Sequence, residues 1–514
     1  MLAVGCWLLA ACTETVSDAR QEAAQPQIYP DYLSVTIPVN IAPLNFSMSD
    51  EKALRIDAVI TDSHGNTLHS QGEDAVDFDL DDWHAMLHSL SFGKGTGFDS
   101  LTVTVSAKYD DGWHTWRPFS IYVSPDSIDY GLCYRLIEPG YEVWSKMGIY
   151  ERDLSSFDER PLIENTQFEG CVNCHSFNRG NPADMSLHIR GPHGATLLRQ
   201  SPTPSLPDRE GELIAYNTKT NQTLGFCVYP YWHPSGRYIA YSTNATSQLF
   251  HSANRNRIEV FDTASDLQVY DVEKNELLLS PLVKQDSIYE TFPVFSADGR
   301  SIYFCAALGL PLQSEGAGEG LDSIRYNLCR IDFDPATGTF GDQIETVIDA
   351  AHTPLPTGEG MRVGRSISFP RPSYDGRFLC YTLSDYGQFS IWHHEADLWL
   401  LDLATGESRP MTEANSDDTE SFHNWSTNSR WLVFSSRRDD GLFTRPYFCH
   451  VDAKGTVSKA FMLPQRNPRR FYRDRFFSFN VPEFIIGPTH FDGQKASRII
   501  NDAYRKDFGV RKME

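Results

Sequence analysis

Four segments of this chain repeat one pattern, and a repeat of this kind leaves few folds open. They are Tyr229 to Tyr241 (YPYWHPSGRYIAY), Phe292 to Phe304 (FPVFSADGRSIYF), Phe369 to Tyr381 (FPRPSYDGRFLCY) and Phe422 to Phe434 (FHNWSTNSRWLVF). The shared pattern is aromatic-Pro, Ser, Asp/Ser-Gly-Arg, then an apolar run, with His423 and Asn428-Ser429 as the fourth segment's departures, and it reads as strand, tight turn, strand. The Gly or Asn supplies the positive φ of the turn, and the alternating strand beyond it buries one face. Third-strand signals lie between the segments: Asp397 to Gly406, Leu267 to Val272 and Cys329 to Gly338. Repeats of about 50 to 80 residues built this way are β-propeller blades. Helical periodicity is nearly absent, so the chain is all-β. Four blades are explicit, and Ile128 to Tyr150 and Glu212 to Tyr216 supply strands for two more. Six blades are expected, with seven the alternative count.

Residues Cys171-Val172-Asn173-Cys174-His175 read C-x-x-C-H. Two thiols at i and i+3 share one face of a helical turn and can add to the two vinyl groups of a c-type haem, while His175 reaches the iron as proximal ligand. Thr166 is placed to cap that short helix. Two other chemistries use such a pair. A zinc site needs a second Cys or His pair at similar spacing, and the chain has no second C-x-x-C. A thioredoxin-like redox pair needs a βαβ surround, and none is present. The haem reading treats residues 165–200 as an insertion that interrupts the repeat. Within it, Met185 to Arg190 and Ala195 to Leu198 form a hairpin around Gly191-Pro192-His193-Gly194. The segment is too small to wall a haem by itself, so the propeller or the N-terminal domain must complete the pocket.

The second iron ligand is expected from this hairpin. In a strand, Met185, Leu187 and Ile189 share one face, and Ser186, His188 and Arg190 share the other. The polar face offers His188 to the iron and Arg190 to a haem propionate. Met185 and His193 are the alternatives, and an open position would permit ligand binding or peroxide chemistry.

The N-terminal run Leu2 to Ala11 is apolar and too short to span a bilayer. It ends Leu9-Ala10-Ala11-Cys12, the form of a bacterial lipoprotein signal in which Cys12 becomes the lipidated first residue. No Lys or Arg precedes the run, which departs from that pattern. Residues 1–11 are therefore assigned as a signal peptide and 12–29 as a polar, flexible tether. The formal net charge of −23 argues against nucleic acid and anionic lipid surfaces as partners. Six further cysteines (Cys133, Cys227, Cys305, Cys329, Cys380 and Cys449) are scattered, and Cys305 and Cys380 sit in apolar strand patterns that favour buried thiols.

Residues 30–125 form a first unit. Tyr32 to Pro38, Leu54 to Ile60, Leu101 to Ala107 and Ser120 to Ser124 read as strands, with turns at Asp110-Asp111-Gly112 and His64-Gly65-Asn66. A small immunoglobulin-like sandwich is the simplest architecture. The propeller then occupies 126–490 and a C-terminal tail 491–514. Three polar clusters carry groups capable of chemistry. Trp392-His393-His394-Glu395-Ala396-Asp397 reads as a polar blade edge more readily than a metal site, because adjacent strand residues face opposite ways. Ser435 to Gly441 places Arg437 and Arg438 near a propeller face, either as a salt-bridged turn or as an anion site. The basic stretch Arg466 to Arg475 reads as pairing with internal acids or as a docking patch. No G-x-S-x-G elbow or P-loop is present.

The segments Cys171 to Phe177, Met185 to Gly191, Trp232 to Gly236, Glu395 to Leu398 and Ser435 to Gly441 resemble a family of bacterial TolB-like β-propeller lipoproteins that carry a C-x-x-C-H insertion. The resemblance spans roughly residues 125 to 490. It implies a propeller in the cell envelope of a Gram-negative-type bacterium, lipid-anchored on its periplasmic or outer-membrane face. TolB proteins themselves have a different N-terminal domain and no haem motif, so their partner does not transfer. The expected function is electron transfer or redox sensing with an envelope protein partner, through one covalent haem c. The alternatives are a TolB-like interaction scaffold, in which C-x-x-C-H is structural or holds another metal, and a haem peroxidase.

Overall fold

The structure, a computed structural model, describes residues 14–92, 97–138, 145–201, 212–251, 256–309, 320–357, 360–502 and 504–511. The expected signal peptide and Cys12 lie outside the described residues. The chain divides into two compact units, 1–125 with 464–475, and 126–463 with 476–514.

The first unit is built on Arg55–Thr61, which pairs with Thr67–Gly72 on one side and Asp99–Tyr109 on the other. Asp99–Tyr109 forks the sheet. Its first half pairs with Phe119–Ser124 and its second half with Gly112–Thr115, and each branch takes a further parallel strand, Thr36–Pro38 and Arg20–Gln21. The ladder thus joins seven strands into one forked sheet, where sequence alternation suggested two sheets of a sandwich. The unit also contains a helix, Leu80–Ser89, capped by the Asp79 carboxylate and burying Trp83, Met86 and Leu87. Residues expected as flexible tether supply the strands Arg20–Gln21 and Ile28–Tyr29. The basic stretch contributes a helix, Pro468–Asp474, to this unit, where Arg466 pairs with Asp77 at 3.1 Å and Asn467 donates to Asp74 at 2.7 Å.

The second unit is a six-bladed propeller. Each blade is a four-stranded antiparallel meander. Blade I is Gly131–Ile137, Met147–Asp153 and Glu159–Glu164, with its innermost strand, Ser478–Ile485, supplied from the far end of the chain. Blade II runs Cys171–Asn178, Asn181–Arg190, Ala195–Arg199 and Leu213–Asn217. Blade III starts with Cys227–Trp232, blade IV with Ile288–Phe295, blade V with Ser366–Pro372 and blade VI with Glu420–Trp425. Each innermost strand touches the next, and blade I touches both blade VI and blade II, so the ring closes. The C-terminal segment is part of this unit. Lys506–Asp507 and Gly509–Val510 add parallel edge strands to blades II and III.

The repeat residues do visible structural work. In blades IV, V and VI the Ser hydroxyl (Ser296, Ser373, Ser426) donates to Asp298, Asp375 or Asn428, whose oxygen accepts the N–H of the following Arg. In blades III and V the Arg also reaches the Asp that ends the third strand, Arg237–Asp271 at 2.7 Å and Arg377–Asp402 at 3.1 Å. The leading aromatic has a different task. Tyr229, Phe292, Phe369, Phe422 and Val481 all adopt a left-handed φ of 50° to 53° at a bulge in the innermost strand. Such backbone costs roughly 1 kcal/mol or more per residue. It is offset by stacking: ring centroids of Tyr229–Phe292, Phe292–Phe369 and Phe369–Phe422 lie 4.7, 4.1 and 4.9 Å apart.

Two expectations about the C-x-x-C-H segment are corrected. Cys171–Asn178 is a strand, not a helix, and only a single 3₁₀ turn, Asn165–Gln167, precedes it. Residues 165–200 do not interrupt the repeat; they supply the first three strands of blade II. The physical reason is pairing. Val172 and Phe177 lie opposite Ile189 and Met185, and all four are buried in one apolar cluster shared with blade I. The ladder skips Cys174, as it skips the leading aromatic in other blades.

Candidate cofactor site at the propeller axis

The innermost strands enclose a cavity of about 350 Å³ at one end of the axis, within the roughly 300–1,000 Å³ range of small-molecule sites. Tyr229, Phe369 and Phe422 of the aromatic stack line it, as do Cys171, Asn173, His175 and Ser176 from blade II. The walls come from loops joining second and third strands, with Trp392 and Arg437 among them. Blade III contributes more. Its second and third strands, Tyr238–Phe250 and Ile258–Asp271, are 13 and 14 residues long, and their outer part forms a strap whose Thr246, Gln248 and Val260 line the cavity.

The strap is latched to blade V. Glu259 meets His393 Nε2 at 3.1 Å and accepts the Tyr386 hydroxyl proton; His393 Nδ1 meets Glu395 at 3.1 Å, and Asn256 donates to Glu395. Burial disfavours the His393 cation, but the two carboxylates outweigh it and raise its pKa to about 9. The His393–Glu395 cluster therefore serves as a strap anchor. Among the described residues no group of three or more His, Cys, Asp or Glu is arranged to hold a metal ion.

His175 is buried, with its Nε2–H donating to the Cys133 carbonyl at 3.3 Å. Its Nδ1 is buried without a hydrogen-bond partner. Burial lowers its pKa to about 4, helped by the Arg135 charge, so the ring is neutral. This is the state of a ligand imidazole: one nitrogen fixed by a carbonyl, the other bare. Cys171 is half-buried, with its thiol 3.8 Å from the Val172 carbonyl. Cys174 lies in the strand, but its side chain falls outside the described residues. Arg135 donates to Asn173, and its Nε is buried and unpartnered.

The hairpin residues separate. Arg190 lines the cavity and is exposed. His188 does not line it. It lies on the blade face turned toward blade III, with Nδ1 3.2 Å from Thr196 Oγ1 and its ring 5.6 Å from Phe226. Its neighbour on that face, Ser186, meets Tyr241 of blade III. His175 reaches in the other direction, to blade I. Strand alternation thus keeps the favoured ligand pair apart. Met185 is also away from the cavity, buried in the cluster between blades I and II. His193 sits in the hairpin turn, where its carbonyl accepts from Arg505.

Sequence reasoning missed His423. It lines the cavity, is buried, donates Nε2–H to the Cys380 carbonyl at 3.0 Å, and has a buried Nδ1 with no partner in hydrogen-bonding geometry. Burial lowers its pKa to about 3. The signal was in the repeat: after the leading residue stands Pro230, Pro293, Pro370 or Pro482 in four blades, but His175 and His423 in the other two.

No protein-family model matches the chain, and no curated protein does. Several solved structures show a distant likeness. The periplasmic gluconolactonase of Pseudomonas aeruginosa is 12% identical over 84% of this chain and 100% of its own, with a TM-score of 0.36. Hydrazine synthase of Kuenenia stuttgartiensis is 11% identical over 57% of this chain and 65% of its own, with a TM-score of 0.31. Prolyl oligopeptidase B of Galerina marginata is 10% identical over 64% of this chain, which spans 42% of that protein, with a TM-score of 0.34. The propeller itself is established by the strand pairing.

Proposed function

We propose that the protein is a propeller cytochrome, with one haem c attached through Cys171 and Cys174 in the axial cavity and His175 as proximal ligand. It passes electrons to, or senses redox state for, a protein partner at the cell envelope, where lipidated Cys12 tethers it. The observation that carries the reading is the siting of C-x-x-C-H: it forms part of an innermost strand, and its Cys171 and His175 line the cavity.

The fit is chemical. His175 offers a neutral, buried and unpartnered ring nitrogen, and the Cys133 carbonyl sets its tautomer. Arg135, oriented by Asn173, and Arg190, opposite Cys171 in the ladder, would hold the propionates. His423 replaces His188 as the candidate second ligand, because it shares the cavity with His175. Bound there, the haem supplies one-electron chemistry, while the aromatic stack and strap exclude water around it.

The test is a pyridine haemochrome spectrum of the protein made alongside a cytochrome c maturation system, beside a Cys171→Ser/Cys174→Ser variant. A covalent c-type spectrum lost in the variant is expected. His423→Ala is expected to shift the Soret band of the oxidised protein, and His188→Ala to leave it in place. Absence of haem from the wild type, with a maturation control that works, would overturn the reading and leave an interaction scaffold.

A further inference from the structure

Blades V and VI bring two guanidinium groups to the cavity with no carboxylate in ion-pair contact among the described residues; Asp418 and Asp440 act on Arg437, and Glu483 on Arg371, only at longer range. Arg437, just beyond the second strand of blade VI, is only 5% exposed. Its guanidinium lies 4.1 Å from the Trp392 ring centroid, its Nε is buried without a partner, and no ion pair reaches it among the described residues. Burial lowers its pKa to about 10, which leaves it charged at neutral pH. Arg371, on the innermost strand of blade V, lies 5.5 Å over the Tyr231 ring and donates to the Pro370 carbonyl at 3.0 Å. It too makes no ion pair among the described residues. The partner of Arg438, by contrast, is plain: Glu420 at 2.9 Å.

The acids that line the cavity do not supply the missing charge. Glu138 stands at the rim and accepts from Ser145. Glu483 is buried, accepts the Phe177 N–H at 2.9 Å, and is not within ion-pair distance of Arg371. Burial pushes its pKa up to about 8, so it is mostly protonated at pH 7. A buried guanidinium such as that of Arg437, facing a void without a counter-ion, is unfavourable unless an anion completes it. Two forks braced on aromatic faces suit a planar carboxylate, which accepts paired hydrogen bonds while its apolar body meets Phe369, Phe422 and Trp392.

We propose that Arg371 and Arg437 bind a small organic carboxylate in the axial cavity, on the side formed by blades V and VI. The site shares its cavity with the proposed haem, so the chain is made without a cytochrome c maturation system, and failure here leaves the haem spectrum as a separate test. Benzoate is the probe, with benzamide as its neutral counterpart, and binding is read by isothermal titration calorimetry on the full chain at pH 7. Saturable binding of one benzoate and none of benzamide is expected. Arg437→Gln is expected to weaken benzoate at least tenfold, Arg437→Lys less, and Arg430→Gln, at a surface turn of the same blade, not at all. Melting curves establish that each variant is folded. The Cys171→Ser/Cys174→Ser variant is expected to bind benzoate as the wild type does. No saturable binding, equal binding of benzamide, or unchanged affinity in Arg437→Gln would overturn the proposal.

Discussion

His175 and His423 stand at the same repeat position in blades II and VI. Each donates Nε2–H to a carbonyl on the second strand of the preceding blade, Cys133 or Cys380, and each has a buried Nδ1 without a hydrogen-bond partner. The other four blades place proline there, which has no side-chain nitrogen to offer. Two of six equivalent positions thus carry an imidazole, and both line one cavity.

His188 is a buried neutral histidine outside that cavity. Burial depresses its pKa to about 3, well under the unfolded value near 6.5. Its contribution to stability is full above pH 6.5 and is lost as pH falls toward 3, because the unfolded chain takes up the proton first. His188→Leu is therefore expected to gain melting temperature relative to wild type as pH drops from 6.5 to 4, measured by paired melts across that range.

Glu483 behaves in the opposite sense. Its folded pKa of about 8 lies above the ordinary carboxyl value, so its contribution is full below about pH 4.5 and lost as pH rises through 8. Glu483→Gln mimics the protonated acid and keeps the acceptor oxygen for Phe177 N–H. The variant is expected to match wild type near pH 5 and to melt several degrees higher near pH 8.5.

The latch between Glu259 and His393 titrates on the alkaline side. The folded pKa of His393, raised to about 9, means that its ion pairs contribute fully below pH 6.5 and fade as pH passes 9. His393→Gln is expected to melt below wild type at pH 6.5, with the gap closing by pH 10. Hydrogen exchange at Ile258 to Asp262 is expected to quicken in the variant more than exchange in blade VI.

Phe508, near the C-terminus, is 5% exposed and stacks on Tyr270 of blade III with centroids 3.8 Å apart. Phe508→Ala is expected to cost about 3–5 kcal/mol in urea unfolding, the usual range for a buried Phe. Removing residues 506–514 is expected to cost more and to promote aggregation, because it uncovers two sheet edges.

The propeller was legible because its information is local. A Ser-x-Asp-Gly-Arg turn makes its own hydrogen bonds within a few residues, and the strand after it shows its buried face by alternation. Repetition made four blades explicit and six the expected count beside seven; closure of the ring settled six. C-x-x-C-H was also visible, but its local structure was misread: the four-residue spacing suits a helix, and only pairing with Asn181–Arg190 and packing on blade I make it a strand. The N-terminal unit was legible strand by strand, yet alternation says nothing of which strands share a sheet, and the fork of Asp99–Tyr109 could not be read from it.

The sequence by itself determined the all-β class, the repeat and the residues capable of cofactor chemistry, since each of these depends on groups close together along the chain. The tertiary structure alone decided which of those residues meet. It turned His188 away from His175 by the pleat of blade II, and it brought Arg135, Arg371, Arg437 and His423 to one cavity from four separate strands and loops. Closing the ring with Ser478–Ile485 beside Gly131–Ile137 makes those long-range neighbours, and no local pattern encodes that distance.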